Sequence, residues 1–184
     1  RRVAVTLAIG LPVLTLALFG IQPALRVSQR TNDGNLQART VHGNGVSLVW
    51  APDGPGWPAA GTNWDTAHQV CQHLSEDGLT RAPTPQHIWR LPTVDEAVRS
   101  MARHGQNSAG VWDAAAAKAT YETTPDKESP LWNVYSQVIY WWTATEVDEE
   151  RAYIIVYDGQ VWPRAKQFGP AYLGFRCVKE PSTG

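Results

Sequence analysis

The longest apolar run lies near the start of the chain, where Val3 to Leu25 carries 23 residues without a charge. About 20 apolar residues suffice to cross a hydrocarbon core of about 30 Å, so residues 1–25 are predicted to form a transmembrane helix. Arg1 and Arg2 precede it, as in an anchor with its N-terminus inside, although Arg26, Arg30 and Arg39 on the far side blunt the positive-inside signal. A cleaved signal peptide is the alternative. It is the poorer match, because the run exceeds a usual h-region and Gln22 and Ala24 before Leu25 make a weak cleavage site. Pro12 removes a backbone donor in mid-segment and predicts a kink, and Gly10 beside it leaves room for a neighbouring helix.

Beyond the apolar run the pattern changes. Residues 26–45 are polar, aperiodic and rich in Asn and Gly, and read as a linker. Val46 to Trp50 reads as a short strand, followed by a Pro- and Gly-rich loop around Trp57. Trp64, Ala67, Cys71 and Leu74 then recur at helical spacing, with Thr62 and Asp65 as a variant capping box and Gly78 as the stop. A second helix is predicted from Thr93, capped reciprocally by Glu96, with Val94, Ala97, Val98 and Met101 on its apolar face. Asp113 to Ala119 is expected to be a short helix. Val138 to Thr145, Ala152 to Tyr157, Gln160 to Pro163 and Leu173 to Val178 are rich in β-branched and aromatic residues and predict an antiparallel meander, with Asp158-Gly159 as a turn. Helices first and a sheet after define an α+β domain over residues 46–184.

Composition narrows the function. Sixteen Lys and Arg balance 17 Asp and Glu, so nothing suggests a nucleic-acid partner. Two Cys permit one bridge at most and exclude four-ligand zinc patterns, haem attachment and iron–sulfur spacings; no cofactor is expected. His68 and His73 point to different helix faces, and His42, His87 and His104 are scattered, which disfavours metal ligation. The acidic run Glu146, Asp148, Glu149 and Glu150 reads as a solvated hairpin turn. No nucleophile elbow surrounds any Ser, and Arg90 and Glu96 read as structural; the chain is expected not to be an enzyme.

Four motifs together resemble a known family. They are Trp64-Asp65-x-Ala67-x-x-x-Cys71-x-x-Leu74, Trp89-Arg90-Leu91-Pro92-Thr93-x-x-Glu96, Tyr140-Trp141-Trp142-Thr143-Ala144-Thr145 and Gly174-Phe175-Arg176-Cys177-Val178. In order and spacing they resemble the bacterial Lcl C-terminal domain family, which is similar to C-type lectin-like domains and more distantly to formylglycine-generating sulfatase-modifying factors. The resemblance covers about Val46 to Lys179 and implies a C-type lectin-like fold with a bridge between Cys71 and Cys177. Two separate buried thiols are the alternative. A bridge would consume the only cysteines that the sulfatase-modifying oxidation could use, and would place the domain in an oxidising compartment. Trp132-Asn133-Val134 departs from the lectin calcium motif, so calcium-dependent sugar binding is not expected.

The combined expectation is a noncatalytic accessory or scaffold subunit, single-pass in a bacterial inner membrane, with its C-terminal domain in the periplasm or outside the cell. Its partners would be the lipid bilayer and a larger integral membrane complex, a photosynthetic or respiratory one among the options. A cell-surface adhesin or glycan-binding module is the alternative. Trp64, Trp89, Trp141 and Trp142 are assigned to the core. Gly10, Pro12, Trp57, Trp112, Trp132 and Trp162 are the candidate partner contacts, the tryptophans because all four fall in loop or turn contexts.

Overall fold

The computed structural model describes residues 27–182. The expected span, with Gly10 and Pro12, lies outside them, and among the described residues no helix is long and apolar enough to cross a membrane. Packing divides the chain into Arg1–Arg30 and Thr31–Gly184. In the first unit the described residues close one turn, the Arg30 N–H donating to the Val27 carbonyl at 3.2 Å.

The second unit is α+β. Its strands and helices run β1 (Arg39–His42), β2 (Ser47–Trp50), α1 (Trp64–His73), α2 (Val94–Ser100), β3 (Ala102–Arg103), β4 (Gln106–Asn107), β5 (Val111–Asp113), β6 (Lys118–Thr120), β7 (Tyr140–Glu146), β8 (Arg151–Val156), β9 (Val161–Ala165), β10 (Leu173–Gly174) and β11 (Val178–Lys179). A four-stranded sheet in the order β10-β7-β8-β9 carries the core, beside a three-stranded sheet β1-β2-β11 and the hairpins β3-β4 and β5-β6.

Four local expectations give way. Most of the supposed linker is part of the domain: β1 pairs with β2 from Arg39↔Trp50 to His42↔Ser47, and Thr31 donates to Glu128 at 2.7 Å. Polarity misled because only Val41 of that strand is buried. Asp113 to Ala119 is no helix but the end of β5, a turn over residues 114–117 and the start of β6; the Asp113 carboxylate accepts from the Ala115 and Ala116 amides at 2.9 and 3.0 Å, an Asx turn that outcompetes helical hydrogen bonds. The cap of α1 is Asn63, not Thr62, and α1 ends at His73, before Gly78. The final segment is not a meander: β10 runs parallel to β7, and β11 leaves that sheet to pair with β2.

Alternation in the strands explains the core. Trp141 and Trp142 are consecutive, as are Ile154 and Ile155, so each pair points to opposite sheet faces. Trp141 and Ile155 enter a cluster with Trp50, Val98 and Met101, whereas Trp142 and Ile154 join Ala67, Cys71, Leu74 and Trp89. Both helices pack as the periodicity requires, and Trp64, Trp89, Trp141 and Trp142 are all buried.

The capping box of α2 is complete, Glu96 accepting from the Thr93 amide at 2.8 Å and the Thr93 hydroxyl from the Glu96 amide at 3.2 Å. Arg90 grips the same carboxylate with two bonds of 2.7 Å and reaches Glu180 at 2.7 Å. Burial alone would raise the Glu96 pKa, but the Arg90 fork and the Thr93 amide outweigh it and hold the carboxyl below its ordinary range. A depressed folded-state pKa gives stability that is present above about pH 4.5 and lost as pH falls through the folded value. Glu96→Gln should therefore cost about 1 kcal/mol at pH 7, after allowing for solvent screening of this half-exposed pair, and flatten the melting profile between about pH 5 and 3. Parallel acid profiles of the two proteins would refute this assignment.

Candidate functional site

The four-stranded sheet is not covered evenly. Cross-strand partners share a face, so Tyr140, Ile154, Trp162, Arg164 and Leu173 project to the side packed by α1. Near Trp142 that side is sealed, but toward β9 it opens into a cleft of about 640 Å³. Ile154 and Leu173, each 1% exposed, line its floor. Phe168 and Tyr172, at 44% and 42% exposure, line its outer part.

The segment between β9 and β10 builds the wall, and backbone bonds pin it. The Trp64 amide donates to the Lys166 carbonyl at 2.9 Å, the Gly61 amide to Ala171 at 2.9 Å, and the Ile139 amide to Tyr172 at 2.9 Å. Gly61 sits so close that an added Cβ would lie 2.0 Å from the Pro170 carbonyl oxygen, a contact only glycine tolerates. Tyr140 bridges the walls, with ring centroids 5.7 Å from Tyr172 and 5.9 Å from Trp162.

Two guanidinium groups supply the charge in this cleft, and no acidic side chain lines it. Arg151 is held by Asp148 through bonds of 2.8 and 2.6 Å. Arg164 lies 5.5 Å over the Trp162 ring, and no carboxylate of the described residues pairs with it. Lys166 is engaged by Glu146 and stacks 4.7 Å over Trp64. A mostly apolar cavity of this size, with a few polar groups at its edge, is suited to binding.

The proposed contact tryptophans fall elsewhere in two cases. Trp57 is 5% exposed and Trp132 is 3% exposed, so neither offers a contact surface. Trp57 is buried because the Arg176 guanidinium stacks 3.6 Å over its ring; Trp132 is buried because its loop folds back onto the sheet and stacks the indole 3.8 Å from Trp141. Trp112 and Trp162 are half-buried, Trp112 edge-on to Tyr153 at 5.5 Å and Trp162 at the cleft side. Phe168, Tyr172 and Arg164 were missed from sequence. The available signal was the breaker pair Gly169 and Pro170, which forces Phe168 and Tyr172 into a loop where aromatic rings remain in solvent.

Cys71 and Cys177 are bonded, with both residues fully buried and Cα atoms 5.6 Å apart. Among the described residues no group of three or more His, Cys, Asp or Glu lies together in a way that could hold a metal ion. The strongest electrostatic anomaly is Arg176, 0% exposed and without a salt bridge among the described residues. Burial lowers its pKa well below the usual arginine value, the like charge of Arg39 adds to this, and Asp53 opposes it. Its Nε donates to the carbonyl of Ala51 at 2.8 Å and Nη1 to those of Pro130 at 3.1 Å and Leu131 at 2.7 Å, while Nη2 is buried with no hydrogen-bond partner among the described residues. That is a structural clamp.

No family model matches the chain, and no curated protein sequence matches it. What the structure defines is a disulfide-bridged α+β domain with an aromatic, arginine-edged cleft.

Proposed function

We propose that this protein is a noncatalytic, membrane-anchored accessory subunit whose extracytoplasmic domain docks on a larger integral membrane complex. The observation that carries the reading is the cleft: a pre-formed apolar floor with two solvent-exposed rings at its outer part, on a bridged scaffold. Exposed aromatic rings beside a cavity are a cost to a protein that uses them for nothing. The apolar run of residues 1–25 supports a bilayer anchor, and the Cys71–Cys177 bridge supports an oxidising compartment. The motif resemblance to the Lcl C-terminal domain family supports a lectin-like domain used for recognition. A glycan-binding module is the second reading, favoured by the Phe168 and Tyr172 rings on which a sugar could stack.

The test separates the two attachments. Replacing residues 1–25 with an unrelated span, and separately deleting residues 31–184, should each weaken copurification with the complex in mild detergent, and loss of both should abolish it. Glycan binding by the intact chain with no copurifying membrane protein would establish the second reading instead.

A further inference from the structure

The cleft distinguishes among occupants by its charge. Its lining holds two guanidinium groups and no carboxylate, and one of the two is already spent: Arg151 is neutralised by Asp148. Arg164 is the group left over, exposed and held beside Trp162 by a cation–π contact that leaves its N–H donors free to face an incoming acceptor. Below it lie Ile154 and Leu173, and beside it Phe168 and Tyr172, so a carboxylate at Arg164 would sit next to a volume that only carbon fills well.

Two features limit what that occupant can be. Phe168 and Tyr172 remain open to solvent instead of closing over the cavity, so a small molecule would not reach the nearly complete burial such ligands require. Strand addition is blocked, because β9 is an edge strand that carries Pro163.

We propose that the cleft captures a protein segment of the docking partner that presents one large apolar side chain beside a single carboxylate, the apolar group resting on Ile154 and Leu173 and the carboxylate pairing with Arg164. This rests on the docking reading above. The segment binds through its side chains, not by extending the sheet.

The test uses the full chain in its native membrane, with a photoreactive benzoylphenylalanine in place of Tyr172 or, as a control outside the cleft, of Tyr135, which is 77% exposed. Crosslinking from position 172 should exceed that from position 135 and map to a partner peptide with an Asp, Glu or terminal carboxylate next to an apolar residue. Arg164→Glu should cut this yield by about tenfold, and Arg164→Lys should retain most of it. Both replacements are at an exposed position and should leave the melting temperature unchanged within about 2 °C. Position 172 crosslinks no stronger than those of position 135, adducts with the mass of a lipid or glycan, or yields indifferent to Arg164→Glu would each overturn the inference. If the complex still copurifies in those cases, docking survives and only the cleft assignment falls; if the intact chain brings down no membrane protein, docking fails and takes this inference with it.

Discussion

Replacing Cys71 and Cys177 together with alanine should lower the melting temperature by about 10 °C. The bridge closes a loop with a sequence separation of 106. For a loop of that length the chain-entropy account gives about 4 to 5 kcal/mol, and measured losses of native bridges run at about 2 to 5 kcal/mol. In a domain of this size each kcal/mol moves the midpoint by about 2 to 4 °C. The position of the bond makes it more than a loop closure, because it ties the buried face of α1 to the stretch between β10 and β11, at the junction of the two main sheets. Thermal unfolding followed by far-ultraviolet circular dichroism, with and without reductant, measures the effect. Reductant should shift the wild type toward the double alanine variant and leave that variant unmoved. A change below about 2 °C would show that the bridge contributes little.

Arg176→Ala should be at least as damaging, at about 3 to 5 kcal/mol, the range for losing a buried charged group together with its packing. The side chain bonds three carbonyls that belong to two separate loops, Ala51 in one and Pro130 and Leu131 in the other, while its face covers Trp57. Truncation removes a donor from each acceptor and opens a void beside an indole. Arg176→Lys keeps a cation but loses the planar fork and the stack, and should still cost about 2 kcal/mol. Arg176→Met separates the causes, since it fills the volume and supplies no donor. If packing dominated, methionine would be nearly neutral; the expected order of stability is wild type, then lysine, then methionine, then alanine. Intrinsic Trp fluorescence should redshift in the alanine variant as Trp57 gains water. Chemical denaturation of the four proteins, read as midpoints with a common slope, checks the order. A methionine variant as stable as wild type would show that the carbonyl clamp is not what holds Arg176 in place.

Legibility from sequence followed the range of the interaction concerned. The α2 cap was readable because a capping box is a contact between residues three apart, and Thr93 and Glu96 make it as expected. The buried stripe of α1 was readable for the same reason. Asn63 was missed as its cap because Thr62 and Asn63 are both good caps, and a distant contact decides between them: the Thr62 carbonyl accepts from the Trp142 indole at 2.8 Å, while the Asn63 carbonyl and side chain accept from the Ala67 and Thr66 amides at 3.1 and 2.9 Å. The exposure of the loop tryptophans was not readable. Trp57 and Trp132 are buried by Arg176 and Trp141, partners 119 and 9 positions away, and nothing local announces either contact.

By itself the sequence determined the α+β class, the two helices, most strands of the main sheet and the core residues that those elements carry, because hydrophobic periodicity acts within a few positions and decides which face of each element leaves water. Only the tertiary structure decided that residues from Thr31 onward belong to the domain, that β10 returns parallel beside β7, and that the cleft lies between β9 and the Phe168–Tyr172 loop. These depend on which distant strands close on one another. That is a matter of long-range pairing and of what remains uncovered once the chain has packed, and no window along the chain contains it.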